Sequence, residues 1–115
     1  MVSVTISCGK NGVLKKCEAD GHAGFSRKGS DVVCSAITIL LKTAMELLSR
    51  TENVVFEADS AARGNLFFSV EAEKDDPQTE SMLKCTAEFL KVGIGLIQKE
   101  YPGNVRLKEK KLAEA

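Results

Sequence analysis

Residues 20–36 read DGHAGFSRKGSDVVCSA. How this stretch divides sets the architecture on both sides of it. Upstream, Val2 to Ser7 alternates apolar Val2, Val4 and Ile6 with polar Ser3, Thr5 and Ser7, which is the period of a half-buried strand. Gly9-Lys10-Asn11-Gly12 supplies a turn in which two glycines permit positive φ. Val13 to about Asp20 is the returning strand, so a hairpin ends at Gly21-His22. Ala23 to Ser30 reads as a loop with Gly24 and Gly29 near its ends. Asp31 or Ser30 then caps a helix that runs to about Arg50. Its apolar residues Val33, Ile37, Leu40, Leu41, Ala44, Leu47 and Leu48 recur at spacings of three and four, giving a wide core-facing stripe.

Downstream, Val54 to Ala58 and Leu66 to Glu73 read as two more strands, joined by 59-DSAARGN. In the second, Leu66, Phe68, Val70 and Ala72 share one face and Phe67, Ser69, Glu71 and Glu73 the other. Asp76-Pro77 is an N-cap followed by proline at the first helical position. The helix it opens runs to about Tyr101, with Met82, Phe89, Leu90, Val92, Ile94 and Ile97 expected on its buried side. Gly93 and Gly95 weaken that helix intrinsically, so close packing on the other helix or the sheet is expected of them. Pro102-Gly103 stops it, Asn104 to Leu107 is a short last strand, and 108-KEKKLAEA is a solvated end. The order is ββαββαβ across a single domain, residues 1–115. Two amphipathic helices and a mostly antiparallel sheet predict a two-layer α+β sandwich with both helices on one face. The pattern does not set the strand order.

Sixteen basic residues balance sixteen acidic ones, which argues against a dedicated nucleic-acid binder. Zero net charge also leaves little repulsion between copies. The N-terminus lacks the basic and apolar regions of a signal peptide. Val32 to Leu48 is interrupted by Ser35, Thr38, Lys42, Thr43 and Glu46 and reads as too polar to span a bilayer. A cytoplasmic protein without a membrane partner is expected, with its four cysteines as reduced thiols. Cys8, Cys17 and Cys85 are expected to be small buried hydrophobes. Zinc is not expected, because there is no C-x₂-C pair and only one histidine.

That histidine, His22, and Cys34 lie twelve positions apart. With Asp31 as cap, Cys34 falls at the third helical position, where first-turn N–H groups favour an anion and so a thiolate. A neighbouring imidazole would stabilise the thiolate by ion pairing and could later protonate a leaving amine. The chemistry that needs this arrangement is acyl transfer by a nucleophilic cysteine. Spacing alone leaves a surface histidine and a buried cysteine equally open.

The run Gly21-His22-Ala23, followed by Gly29, Asp31, Val33, Cys34 and Ala36, closely resembles the GHA…G-x-D-x-V-C-A-A-x-S motif of the ribosomal-processing cysteine proteases, the Prp family. The order of elements and the ending 101-YPGNVRL are similar as well. Ser35 and Thr38 depart from the pattern, standing where alanine and serine are usual. The resemblance implies His22 as general base and Cys34 as nucleophile, with no metal or organic cofactor. It implies a substrate too: the N-terminal extension of large-subunit ribosomal protein number twenty-seven, removed before or during assembly. It further implies a homodimer. Asp31 is read as a helix cap that could also orient His22. Gly24 and Gly29 are read as hinges of a mobile substrate loop. A non-catalytic ribosome-associated module of the same fold and a thiol redox protein are the competing readings. The latter would need a resolving cysteine near Cys34.

Overall fold

The computed structural model describes residues 1–21, 28–59 and 65–113, with the backbone alone for 28–31. Five strands and two helices follow in the order ββαββαβ: β1 Val2–Cys8, β2 Leu14–Asp20, α1 Lys28–Ser49, β3 Val54–Asp59, β4 Asn65–Ala72, α2 Pro77–Glu100 and β5 Val105–Lys111. The strands form one sheet in the order β3-β4-β2-β1-β5, antiparallel except for the β1–β5 pair.

The β1–β2 hairpin turns through a short 3₁₀ segment, Lys10–Gly12. Positive φ falls on Asn11 and Gly12 and not on Gly9, because asparagine tolerates the left-handed region almost as glycine does. The register slips between Ser7 and Cys8, which pair with Lys16 and Leu14. Lys15 is the extra residue of this bulge, and its ammonium reaches Glu71 Oε1 at 2.6 Å.

Both helices bury their apolar stripes between themselves and the sheet. Val4, Ile6, Leu14, Cys17 and Phe68 from the sheet meet Val33, Ile37, Leu41 and Leu48 from α1 and Leu83, Ala87, Leu90 and Ile94 from α2. The stretch Val32–Ser49 is, contrary to the sequence expectation, long and apolar enough to cross a membrane by length and composition. In this fold α1 instead turns Val33, Ile37, Leu41, Ala44 and Leu48 into the core. Leu47, expected inside, is half exposed, since it lies a full 100° around the helix from Leu48.

Helix α2 begins as expected at Asp76, whose carboxylate accepts hydrogen bonds from Gln78 N and from Thr79 Oγ1 (2.7 Å). The Thr79 hydroxyl first, and the backbone donors after it, hold that carboxyl below its ordinary value. The buried face differs from the expectation. Thr79, Leu83, Thr86, Ala87, Leu90 and Ile94 point inward, while Phe89 and Val92 are both 60% exposed. Thr79, Thr86 and Ala87 share this inward face with Leu83, Leu90 and Ile94, and Thr86 is satisfied by its own helix through Met82 O at 2.8 Å. Counting large apolar residues therefore rotated the expected stripe.

A Cβ on Gly93 would lie 3.0 Å from Leu40 Cδ1, so this glycine is where α1 and α2 approach. Around Gly95 a Cβ would meet nothing within 4 Å, so that glycine serves no packing purpose. Gly95→Ala is expected to raise stability by about 0.5–1 kcal/mol, and Gly93→Ala to raise it less because Leu40 must give way. Urea unfolding of both variants checks this.

Strand β5 runs to Lys111, past the expected end at Leu107. Its charged half is a strand because Lys108, Glu109, Lys110 and Lys111 pair with Thr5 to Cys8 of β1. Backbone pairing to an inner strand outweighs side-chain polarity there, and charge on an edge strand discourages pairing with other chains.

Candidate active site

The candidate residues fall between the end of β2 and the first turns of α1. Strand β2 is held on both sides, by β1 (Ser3 opposite Asp20) and by β4 (Asn65 opposite Asp20). After Asp20 the chain turns at Gly21, which takes φ +102°. His22 comes next and, with Gly24, lies outside the described residues.

Helix α1 starts at Lys28, three residues before Asp31 and two before Ser30. Gly29 therefore belongs to the first helical turn and not to a loop, and neither Ser30 nor Asp31 is the N-cap. Glycine is tolerated at this point because first-turn N–H groups have no intrahelical acceptor to lose. The change matters for Cys34. It is the seventh residue of α1, roughly 9 Å along the axis from Lys28 at 1.5 Å per residue. The field of a helix terminus fades within the first turn. The helix start thus lends Cys34 little of the charge stabilisation expected of the third position. Asp31 precedes Cys34 by three residues and so lies on the neighbouring turn of the same helix side.

Cys34 is partly exposed and packs against the core beside fully buried Val33. The other thiols divide. Cys17 is fully buried, and burial pushes it up to about 12. Burial also raises Cys8, against the opposing pull of the Lys91 ammonium. Lys91 itself is held above its ordinary value: burial opposes its charge, but Cys8, Glu109 (3.4 Å) and Glu88 (3.8 Å) outweigh that. Cys85, expected to be buried, is exposed on α2. It sits one residue before the inward pair Thr86-Ala87, on the solvent side of the helix. Cys34 and Cys85 are accordingly the thiols open to a reagent. Among the described residues no group of three or more His, Cys, Asp and Glu side chains is placed to hold a metal ion.

The model of the family described as cysteine protease Prp matches residues 1–106. The chain belongs to the cysteine protease Prp family. As a Prp protein it is a cysteine protease, a hydrolase of peptide bonds. It is 24% identical over 107 residues to the ribosomal processing cysteine protease Prp of Bacillus subtilis (strain 168), covering 93% of this chain and 96% of that one. The fold is shared with the essential ribosomal processing protease Prp from S. aureus carrying a covalently linked product peptide. That match has TM-score 0.76 and 21% identity, over 96% of this chain and all of the other. The same S. aureus Prp with a substrate peptide matches at TM-score 0.75 and 19% identity, with the same coverage. A Streptococcus mutans protein matches at TM-score 0.76 and 21% identity, over 97% of this chain and 96% of that one. The two-helix, five-strand architecture of this Prp chain is thus that of these structures. The feature that the residue pattern did not reveal is the backbone at Gly21, because its partner, Met1, is twenty positions away in the chain.

Proposed function

We propose that this protein is the endopeptidase that removes the N-terminal extension of large-subunit ribosomal protein number twenty-seven during ribosome assembly in the cytoplasm. His22 takes the proton of Cys34, and the Sγ thiolate attacks the scissile carbonyl carbon. The tetrahedral oxyanion collapses, the C–N bond breaks, and the imidazolium gives its proton to the departing amine. Water, deprotonated by His22, then hydrolyses the thioester and restores the thiol. Asp31 serves to orient His22, and no metal or cofactor takes part.

The observation that carries the reading is the placement of Cys34. It is a partly exposed thiol on α1, in a chain whose residues 21–36 resemble the family motif apart from Ser35, whereas Cys8 and Cys17 are closed off in the core. The names of the Bacillus subtilis and S. aureus relatives support ribosomal processing as the role. A homodimer fits the exposed apolar stripe Phe89, Val92 and Leu96 beside Gly93 on α2, together with exposed Ile39 on α1 and zero net charge.

The test is incubation of the purified protein with peptides spanning the extended N-terminus of that ribosomal protein, read by mass spectrometry. One cut within the extension boundary is expected. Absence of any cut, in a preparation that sediments as a folded dimer, would count decisively against this substrate.

A further inference from the structure

Gly21 precedes His22 directly, and its backbone conformation is closed to other residues for two separate reasons. Its φ of +102° lies in a region that L side chains avoid. A Cβ built there would also stand 2.6 Å from the carbonyl oxygen of Met1, far inside van der Waals contact.

That carbonyl cannot swing aside freely. It belongs to the Met1–Val2 peptide unit, whose N–H donates to Asn104 O at 2.9 Å on the opposite side, toward β5. A planar trans peptide points its N–H and C=O in opposite directions, so fixing the N–H toward β5 aims the oxygen at β2. Val2 is itself buried and enters the β1–β5 ladder opposite Val105. A side chain at position 21 would therefore be relieved by turning the chain that leaves β2, which is the chain that carries His22.

We infer that Gly21 is a positioning residue for the protease, with the backbone at the start of β1 acting as the stop that sets the direction in which the chain leaves β2 toward His22. This rests on the assignment of His22 as the base for Cys34. It is consistent with the depth of Cys34 in α1, where the helix terminus gives little help and the imidazole has to be well placed. The glycine carries no reacting group; it acts through the residue that follows it.

The experiment compares wild type, His22→Ala, Gly21→Ala and a protein with D-alanine at position 21 made by chemical synthesis. D-alanine accepts positive φ and directs its methyl away from the Met1 oxygen, so it keeps the backbone and tests chirality against bulk. Gly21→Ala is expected to lower kcat on the order of 10²-fold, as a misplaced catalytic group does. KM for the peptide should stay within about twofold, since no binding group is removed. Its Cys34 should react with iodoacetamide at neutral pH as slowly as in His22→Ala. D-alanine should restore both turnover and labelling. A Gly21→Ala protein with wild-type turnover overturns the inference. So does a D-alanine protein that is unfolded or inactive, even where Gly21→Ala itself does not fold. If His22→Ala leaves Cys34 labelling unchanged, the pairing of His22 with Cys34 is wrong. If His22→Ala slows labelling and Gly21→Ala does not, only the positioning role fails.

Discussion

The Cys34→Ala protein is expected to cleave peptide on the order of 10⁴-fold or more slowly than the wild type while remaining folded. In the proposed mechanism the thiolate is the one protein group that bonds to the scissile carbonyl carbon, so no neighbour can replace it. The structural cost is small. Cys34 is partly exposed, and removing its sulfur forfeits about 1 kcal/mol of burial at most. Alanine returns part of that through its higher helix propensity. Single-turnover cleavage and urea unfolding, measured side by side, separate the two effects. Cleavage that survives in Cys34→Ala would move the nucleophile elsewhere. The fold also predicts the labelling pattern. Cys8 and Cys17 are closed to iodoacetamide until the protein unfolds, so the informative comparison is Cys34 against exposed Cys85. Faster modification of Cys34 is expected, because the proposed pairing with His22 favours a thiolate there. Equal rates would mean that Cys34 has no activating partner.

The second large effect is on stability. Phe68 is fully buried at the centre of β4, opposite Cys17 of β2 and Ala58 of β3. Its ring lies 6.0 Å from that of Phe56, centroid to centroid. Phe68→Ala removes the largest fully buried side chain among the described residues and leaves a cavity that strands pinned on both sides cannot close. A loss of about 3–5 kcal/mol is expected. A domain of this size has on the order of 5–15 kcal/mol in total. The urea midpoint should fall by roughly 2 M. A shift below about 0.5 M would show that the sheet relaxes around the void and that the β2–β4 pairing is less rigid than its register implies.

Much of this was readable from local chemistry. The alternation of Val2 to Ser7, the turn at residues 9–12, and Asp76-Pro77 at the head of α2 are determined by neighbours a few residues apart, and each stands where the pattern put it. The order ββαββαβ followed from them. Cys34 and His22 stood out through spacing and residue type within one short run of chain.

What tertiary structure decided has a common cause: the partner is distant in sequence. The strand order β3-β4-β2-β1-β5 depends on which edges meet. The charged half of β5 is a strand only because β1 offers its backbone. Phe89 and Val92 face outward because the inward side of α2 is fixed by contact with α1 and the sheet, and hydrophobicity along α2 does not report that contact. The depth of Cys34 in α1 follows from a helix that begins at Lys28, ahead of the capping residues that composition favoured. Gly21 shows the division most clearly. Its sequence neighbours mark it as part of a motif, but the need for glycine there comes from the Met1 carbonyl, which the β1–β5 pairing holds against it. Local chemistry sets each element and its ends; the close approach of distant backbones sets which residue each position can hold.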